Sequence, residues 1–348
     1  MLSWISVTLG HVWGPLRLLN SFFFLAATGY AVAALATWLL LPRLWSQLAT
    51  DRGRAFAVNA DQSVGKPVGA GLIFVAIFCV TALIFVPFNA ACLRTLPLIA
   101  AATLVGYLDD RRGGFNEYQL AVMDAIIAVG ASIVMIGIHG WVMWLPGWKA
   151  AIPLSSWLAI PLASGVIWLA INATNCSDGV DGVSGSLTGT AILILGGLLY
   201  AVIGNDVVAA HLHIPTNPQG GDWAIMAFVM VGAVSAYLWY NAPPSVVLMG
   251  DAGSRPLGLL IGMLVVATGN PLFLLLVGSV IVLNGATGLA KVAITRFLKI
   301  RVLSKIRFPL HDHCRKNLGW SNSQVLVRFL LLHLGLSALL VILVLKIR

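Results

Sequence analysis

Acidic and amide residues occur beside glycine in short polar segments that separate long apolar runs. The first segment, 106–112, contains the adjacent pair Asp109 and Asp110, followed by Arg111 and Arg112. Adjacent carboxylates repel each other and raise each other's pKa unless a cation lies between them. A divalent metal or a phosphate-bound Mg²⁺ would relieve that repulsion. The alternative is a solvated helix end in which the two arginines neutralise the pair.

The second segment, 172–185, has a polar residue at every third position: Asn172, Asn175, Asp178 and Asp181. On a regular helix, four such positions drift through about 180°. They could line one pocket only if the helix unwinds, which Gly179 and Gly182 permit. Irregular backbone at membrane depth is tolerated where it lines a polar cavity. The spacing therefore predicts a pocket for a sugar, a ribose or a hydrated Mg²⁺.

Two further segments contain candidate ligands. Asp251 lies between Gly250 and Ala252 at the start of an apolar run, which suits either a ligand with close backbone approach to phosphate or the N-cap of the next helix. In segment 308–316, His311, His313 and Cys314 could hold zinc, but their spacing is tighter than in usual zinc motifs. Binding of phosphate by the histidines and their basic neighbours is the favoured interpretation.

The fifth segment, 65–71, places Lys66 among three glycines. It does not have the spacing of a Walker loop. It predicts either a glycine-rich packing seam between helices or a lysine directed at phosphate.

The chain that must position these segments is strongly apolar. Its 348 residues are 59% hydrophobic and 9% charged, with a mean hydropathy of +0.94, whereas soluble domains carry about 25% charged residues. The high hydrophobicity and low charge exclude disorder. The apolar runs are continuous, which disfavours a β-barrel, because barrel strands alternate apolar and polar residues. We therefore predict an all-α polytopic membrane protein, a single domain over 1–348, with ten spans at 22–41, 68–87, 95–108, 119–138, 157–173, 184–204, 223–241, 256–268, 271–297 and 325–345.

Charge distribution predicts the orientation. Lys and Arg total 21 against 12 Asp and Glu, and most of the basic residues fall in the loops that follow odd-numbered spans. The positive-inside rule places those loops in the cytoplasm and both termini on the outer, periplasmic side. All acids except Asp206 and Asp222 lie at or near the same inner face. The excess of basic residues is thus explained by membrane topology, and we expect no nucleic-acid partner. We also expect no cleavable signal peptide and no disulfide framework.

Together the segments resemble a known family. GYLDD at 106–110, NATNCSDGVDG at 172–182, MGDAGS at 249–254 and HDHCRKNLGWSNSQVLVRF at 311–329 resemble, in that order, the polyprenyl-phosphate N-acetylhexosamine-1-phosphate transferases (glycosyltransferase family 4). With GKPVGAG at 65–71, the chain is most similar to the phospho-N-acetylmuramoyl-pentapeptide transferases. The resemblance covers about residues 65–329.

The resemblance implies ten transmembrane helices and an Mg²⁺-dependent reaction at the cytoplasmic face of the bacterial plasma (inner) membrane. Undecaprenyl phosphate attacks a UDP-amino-sugar nucleotide, which yields UMP and a lipid-linked precursor of peptidoglycan. A homodimer is a further expectation. Carried over by motif, the site residues are Asp109, Asp110 and Asp251 as catalytic residues; Asp251 and Asn175 as metal ligands; and Lys66, Asn172, Asp178, Asp181, Gly250, His311 and His313 as substrate-binding residues.

Three departures from the family pattern bear on the substrate. The family's muramoyl enzymes usually carry three consecutive histidines where this chain has Asp312 between His311 and His313, and an aromatic residue on the uracil where Leu248 stands. The segment after Asp110 is also shorter and lacks the usual lysines.

These departures keep open a sister enzyme that uses UDP-N-acetylglucosamine or another UDP-amino sugar for teichoic acid or O-antigen synthesis. A transporter or lipid flippase is a third interpretation. Such a protein would place its acids near the bilayer midplane in paired, interrupted helices, whereas these acids lie at one face.

Overall fold

The computed structural model describes residues 1–53, 63–88, 90–300 and 302–347. In these ranges the chain is mainly α-helical: α1 Leu2–Leu9, α2 Phe22–Leu44, α3 Gly71–Phe85, α4 Leu96–Arg112, α5 Glu117–Ile136, α6 Ser156–Ser177, α7 Val183–Leu198, α8 Asp206–His211, α9 Gly220–Asn241, α10 Asp251–Ala267, α11 Phe273–Val277, α12 Ser279–Ile281, α13 Thr287–Ala293, α14 Leu310–Leu318 and α15 Asn322–Lys346. Two short antiparallel pairs join β1 Ala49–Thr50 to β2 Pro67–Val68 and β3 Trp141–Met143 to β4 Ile152–Leu154.

The predicted all-α polytopic class is confirmed. Within the described ranges, eight helical segments are long and apolar enough to cross a membrane. The predicted spans at 68–87 and 256–268 overlap two shorter helices, α3 and α10, which have 15 and 17 residues. The side of the membrane on which the termini lie stays a prediction. Arg54, Asp61, Arg301 and Arg348, which contribute to the predicted charge asymmetry, lie outside the described residues.

The predicted ninth span, 271–297, differs in detail. It begins with the short α11, and a longer helical segment, Ser279–Leu298, follows. That segment contains two π-helical turns, Val282–Ala286 and Ile294–Leu298. Such turns hold one extra residue per hydrogen-bonded ring and often occur at functional sites, and the first of them contains the buried Asn284.

Helix α10 lies at the centre of the molecule, and every residue from its first to Val266 is buried. It packs against α3, α4, α6 and α7. On the α6 side, Gly258 and Gly262 contact the backbone of Ile171 and Ile167 so closely that a Cβ on either glycine would lie within 2.7 Å of α6 atoms. Small residues allow such backbone contact between helices in a membrane.

The N-terminus of α10 is held by two more glycine contacts. A Cβ on Gly71 would overlap the backbone of Ala252 and Gly253, and a Cβ on Gly106 would overlap the backbone carbonyl of Asp251. Hence α3 and α4 meet α10 backbone to backbone. The close approach of α4 fixes its last turn, with both adjacent acids, beside the first residues of α10.

A small β-structure brings a third segment to the same place. Strand β2 pairs with β1 through Ala49 and Val68, and Val68 also forms a parallel bridge with Leu248. The chain around Lys66 therefore runs beside the residues that precede α10. The sequence did not indicate these strands, because each has only two residues.

Candidate active site

Four of the predicted segments meet at the N-terminus of α10, around three neighbouring cavities. The first cavity, of about 410 Å³, is lined by Asp109, Asp110, Asn175, Asp251 and Arg255, among others. The second, of about 120 Å³, is lined by Asp178, Asp181, Asn241, Leu248 and Gly250. The third, of about 670 Å³, is lined by Lys66, Asp181, Ser245, Trp320 and Ser321. Asp51 and Val68 line both the first and the second cavity.

Asp110 caps α10 from the neighbouring helix α4. Its carboxylate oxygens accept the backbone N–H groups of Asp251, at 3.0 Å, and Ala252, at 3.1 Å. The residue at the N-cap position is Gly250, with φ +65°, and a Cβ there would overlap the Asp110 carboxylate. The N-cap role that the sequence left open for Asp251 therefore belongs to Asp110. A carboxylate at this position also interacts favourably with the helix dipole.

Asp109, the residue before Asp110 in the last turn of α4, lines the first cavity. The loop after α4 turns back on it. The Asp109 carboxylate accepts the backbone N–H of Phe115, and its backbone carbonyl accepts the N–H groups of Gly113 and Gly114 at 3.1 Å. Gly113, at φ +84°, ends α4 in the left-handed conformation, as glycine commonly does at this position. Both adjacent acids line the first cavity, but only Asp110 also caps α10.

Asp251 is held by Arg255, which immediately precedes the predicted span 256–268 and was therefore expected in a loop. Arg255 donates to Asp251 Oδ2 from Nε at 3.2 Å and from Nη2 at 2.9 Å. Its third nitrogen, Nη1, donates to the carboxylate of Asp124 on α5. The spacing of four between Asp251 and Arg255 is the helical pairing distance. It was overlooked because α10 was expected to begin five residues later.

The two asparagines of α6 point to different partners. Asn175 donates from Nδ2 to Ser254 Oγ at 3.0 Å and lines the first cavity. Because its nitrogen is used by Ser254, its carbonyl oxygen is the atom suited to a cation. Asn172 donates from Nδ2 to the backbone carbonyl of Trp168 at 3.0 Å, within α6. A substrate-binding role for Asn172 stays a prediction.

The predicted unwinding between α6 and α7 is confirmed. Helix α6 ends at Ser177, and α7 begins at Val183. Gly182, at φ +75°, forms the N-cap of α7, and its N–H donates to Asn241 Oδ1 at 2.8 Å. This turn places Asp178 and Asp181 on the wall of the second cavity.

Lys66 lies between Asp181, in segment 172–185, and Ser245, which precedes α10. Its Nζ donates to Ser245 Oγ at 3.0 Å and lies 3.8 Å from Asp181 Oδ2. The backbone N–H of Ser245 donates to the same Asp181 oxygen at 3.1 Å. The packing interpretation of the glycine-rich segment is confirmed, since Gly71 packs against α10. Lys66 lines the third cavity, and its role toward phosphate stays a prediction.

His311 packs behind the second cavity. A Cβ on Gly179 would overlap its Nε2, and Asn284 Oδ1 accepts its backbone N–H at 2.9 Å and lies 3.1 Å from its Nδ1. Because Oδ1 can only accept, Nδ1 carries the proton and Nε2 is an acceptor. Burial, with a smaller effect of the Arg315 charge, lowers the pKa of His311 to about 3. The imidazole is therefore neutral at neutral pH, and a substrate-binding role for His311 stays a prediction.

The rest of the histidine segment is tied to its own surroundings. His313 Nδ1 accepts the backbone N–H of Arg307 at 3.3 Å. Asp312 lies 3.8 Å from the guanidinium groups of Arg307 and Arg315. Burial raises the pKa of Asp312, and these two cations oppose that shift. In the ranges that the structure describes, no group of three or more His, Cys, Asp or Glu residues is arranged to hold a metal, so the zinc interpretation of this segment has no support.

Comparisons with known proteins agree with the resemblance. The model of the family described as Glycosyl transferase family 4 matches residues 92–269. A phospho-N-acetylmuramoyl-pentapeptide-transferase of Treponema pallidum (strain Nichols) is 42% identical over 330 residues, which cover 92% of this chain and 90% of the relative. Proteins of the same name are 30% identical in Nautilia profundicola, over 83% of this chain and 84% of the relative, and 29% identical in Bartonella quintana, over 88% of each.

The region matched by the family model contains three of the site segments. The match to the Treponema pallidum relative covers 92% of this chain. The fold, the convergence of the acids and these similarities lead to one conclusion. The chain belongs to glycosyl transferase family 4.

Proposed function

We propose that the protein transfers phospho-N-acetylmuramoyl-pentapeptide from its UDP donor to undecaprenyl phosphate, with release of UMP. The observation that carries this function is the convergence of Asp109, Asn175 and Asp251 on the first cavity, with Asp178 and Asp181 on the adjoining second cavity. The relatives at 29–42% identity are named as phospho-N-acetylmuramoyl-pentapeptide transferases, which supports the choice of sugar. The site would face the cytoplasm, at the inner leaflet of the bacterial plasma membrane.

We propose Mg²⁺ as the cofactor, with Asp251 and the carbonyl oxygen of Asn175 as protein ligands. Mg²⁺ suits the first cavity because the lining residues offer carboxylate and amide oxygens, which are the hard ligands that this ion prefers. Mg²⁺ usually binds one or two carboxylates plus substrate phosphates and keeps several waters. A preformed cage of three carboxylates is therefore unnecessary. When bound, the ion would neutralise charge on the pyrophosphate.

The protein's own residues would mainly align the reactants, since phosphoryl transfer depends on positioning and charge stabilisation. The lipid phosphate has a second pKa near 6, as phosphate monoesters do, so it is largely ionised at neutral pH. Asp109 would therefore orient the nucleophile in the first cavity without needing to act as a strong base. Lys66 would supply positive charge at the third cavity, and Gly250, which lines the second cavity, would contact the donor there.

The second cavity is the proposed site of the uridine part of the donor. Asp178, Asp181 and Asn241 provide polar groups there, and Leu248 provides an apolar wall. Neutral His311, behind Gly179, would offer an acceptor nitrogen to the donor. The aromatic residue that the family usually has in place of Leu248 is missing, so uracil would be bound here with less stacking.

The function is tested by incubating the purified full chain with Mg²⁺, undecaprenyl phosphate and one UDP-sugar at a time, and by measuring UMP. We expect release with the UDP-muramoyl-pentapeptide donor, dependent on both Mg²⁺ and lipid. Release only with UDP-N-acetylglucosamine would assign the sister activity. Absence of UMP with every donor, under conditions where the protein is folded, would contradict a transferase function.

A further inference from the structure

Arg255 forms a buried charge cluster with two carboxylates from different helices. Asp124 on α5, Arg255 on α10 and Asp251 on α10 have exposed fractions of 1%, 3% and 6%. Arg255 uses Nε and Nη2 for one oxygen of Asp251 and Nη1 for Asp124. The cluster adjoins the first cavity, which Asp251 and Arg255 both line.

We propose that Arg255 is a positioning residue for Asp251, and that Asp124 keeps the net charge of this three-residue cluster negative. Arg255 holds Oδ2 of Asp251 in place and so sets the direction of the whole carboxylate toward the first cavity. Asp124 holds the far side of the same guanidinium. This inference rests on the proposed function only in assigning Asp251 to a divalent cation.

The geometry favours orientation over simple attraction. A guanidinium group is planar and presents its N–H groups in a fixed fork. Two of these groups converge on the same oxygen, Oδ2 of Asp251. Because Asp251 and Arg255 are one helical turn apart on a buried helix, Arg255 cannot swing into solvent. Its contact with Asp124 ties the guanidinium on the opposite side as well.

The charge balance explains why a third member is needed. Arg255 alone would cancel the charge of Asp251 and so remove the attraction of this pair for a cation in the first cavity. With Asp124 the three groups carry a net charge of −1. Removal of one member of a buried ion pair leaves an uncompensated charge, whereas replacement of a whole pair by apolar residues is often neutral for stability. Variants can therefore separate the charge of the cluster from its geometry.

Three variants isolate the two effects. The double variant Asp124→Leu/Arg255→Leu keeps the net charge of the cluster at −1, on Asp251, and removes the guanidinium that positions this carboxylate. Asp124→Asn keeps the fork and removes the compensating charge. Arg255→Lys keeps the charge and removes the fork. The matched control is Glu117→Gln/Arg296→Gln, which neutralises the exposed pair at 3.0 Å between the start of α5 and the segment Ser279–Leu298.

The readout is binding of Mn²⁺, used as a paramagnetic probe, to the full chain in detergent without substrates. Thermal unfolding is recorded on the same samples. We expect the double variant, in which the buried Asp251 loses Arg255 as its counter-ion, to unfold at a lower temperature than the wild type. We expect it to bind Mn²⁺ about tenfold or more weakly, the size seen when a residue that orients a metal ligand is lost. Asp124→Asn and Arg255→Lys should also weaken Mn²⁺ binding, and the control should bind as the wild type does.

A folded double variant with wild-type Mn²⁺ affinity would overturn the positioning role. If the double variant does not fold, wild-type affinity in both Asp124→Asn and Arg255→Lys would overturn it equally. Failure of the proposed function has a different signature. The wild type would then bind Mn²⁺ in a manner that depends on Asp124 and Arg255, yet release no UMP from any UDP-sugar.

Discussion

Replacement of Asp110 tests whether this acid acts as the cap of α10. In Asp110→Ala, the N–H groups of Asp251 and Ala252 lose both acceptors, at 3.0 and 3.1 Å. Loss of an N-cap acceptor costs about 0.5–2 kcal/mol, and loss of a negative charge at a helix N-terminus adds about 0.3–1 kcal/mol. A second buried N–H left without a partner adds about 1–3 kcal/mol, reduced where water enters from the first cavity. We therefore expect a destabilisation of about 2–4 kcal/mol.

Two companion variants sharpen this prediction. Asp110→Asn keeps one acceptor oxygen and loses the charge, so it should be destabilised by about half as much. Asp109→Ala removes the hydrogen bond from the loop at Phe115 and a side-chain contact with Asp251. It leaves the first N–H groups of α10 capped, so it should lose only about 1 kcal/mol. Asp109 is thus the matched control, since it is the adjacent acid on the same helix.

The assay can use the protein's own thiols. Cys92 and Cys314 are buried, so a thiol-reactive fluorophore labels them as the protein unfolds on heating in detergent. Unfolding temperature should fall in the order wild type, Asp109→Ala, Asp110→Asn, Asp110→Ala. Equal unfolding temperatures for Asp109→Ala and Asp110→Ala would refute the cap. Loss of activity in Asp110→Ala without loss of stability would instead indicate direct participation in the reaction.

Asp251→Asn should lower the rate of UMP release by about 100-fold or more, as expected for a group that stabilises developing charge. His311→Ala should lower this rate by only about tenfold, the value of one or two hydrogen bonds. Similar losses in the two variants would contradict the assignment of Asp251 to the metal. Leu248→Phe should lower the KM for the donor by about tenfold, since stacking on a base is worth about 1–3 kcal/mol, and an unchanged KM would place uracil elsewhere. The pKa of His311 is about 3 in the folded protein and 6.5 ordinarily, so between these pH values only the unfolded chain binds this proton. The contribution of His311 to stability is therefore complete above pH 6.5 and is lost as the pH falls toward 3. His311→Gln should show a smaller decrease in unfolding temperature on acidification, and an equal decrease would disprove the buried neutral state.

The convergence of acids could be predicted from sequence because membrane topology places alternate loops on the same side. Asp109, Asp178 and Asp251 each follow or precede a long apolar run, so their common location required no knowledge of helix packing. The unwound turn after Ser177 was also predictable, from the glycines that follow two of the acids. These inferences depend on local sequence and on the membrane alone.

The roles within the cluster could not be predicted, because they depend on which helices touch. That Asp110 caps α10 follows from the contact of Gly106 with Asp251, and no local signal joins those two residues. Arg255 was assigned to a loop because the polar residues of 249–255 hide the start of a helix. Its partner Asp124 lies on another helix, and only the packing of α10 inside the bundle brings them together.

The most direct test of the central claim is Fe²⁺-mediated cleavage of the backbone, with Fe²⁺ replacing Mg²⁺ in the purified protein and peroxide generating radicals at the bound ion. The site described here predicts cuts in three segments distant in sequence, 109–114, 175–181 and 250–255, all suppressed by excess Mg²⁺ and by Asp251→Asn. Cuts confined to one of these segments, or unaffected by either treatment, would show that the acids do not share an ion.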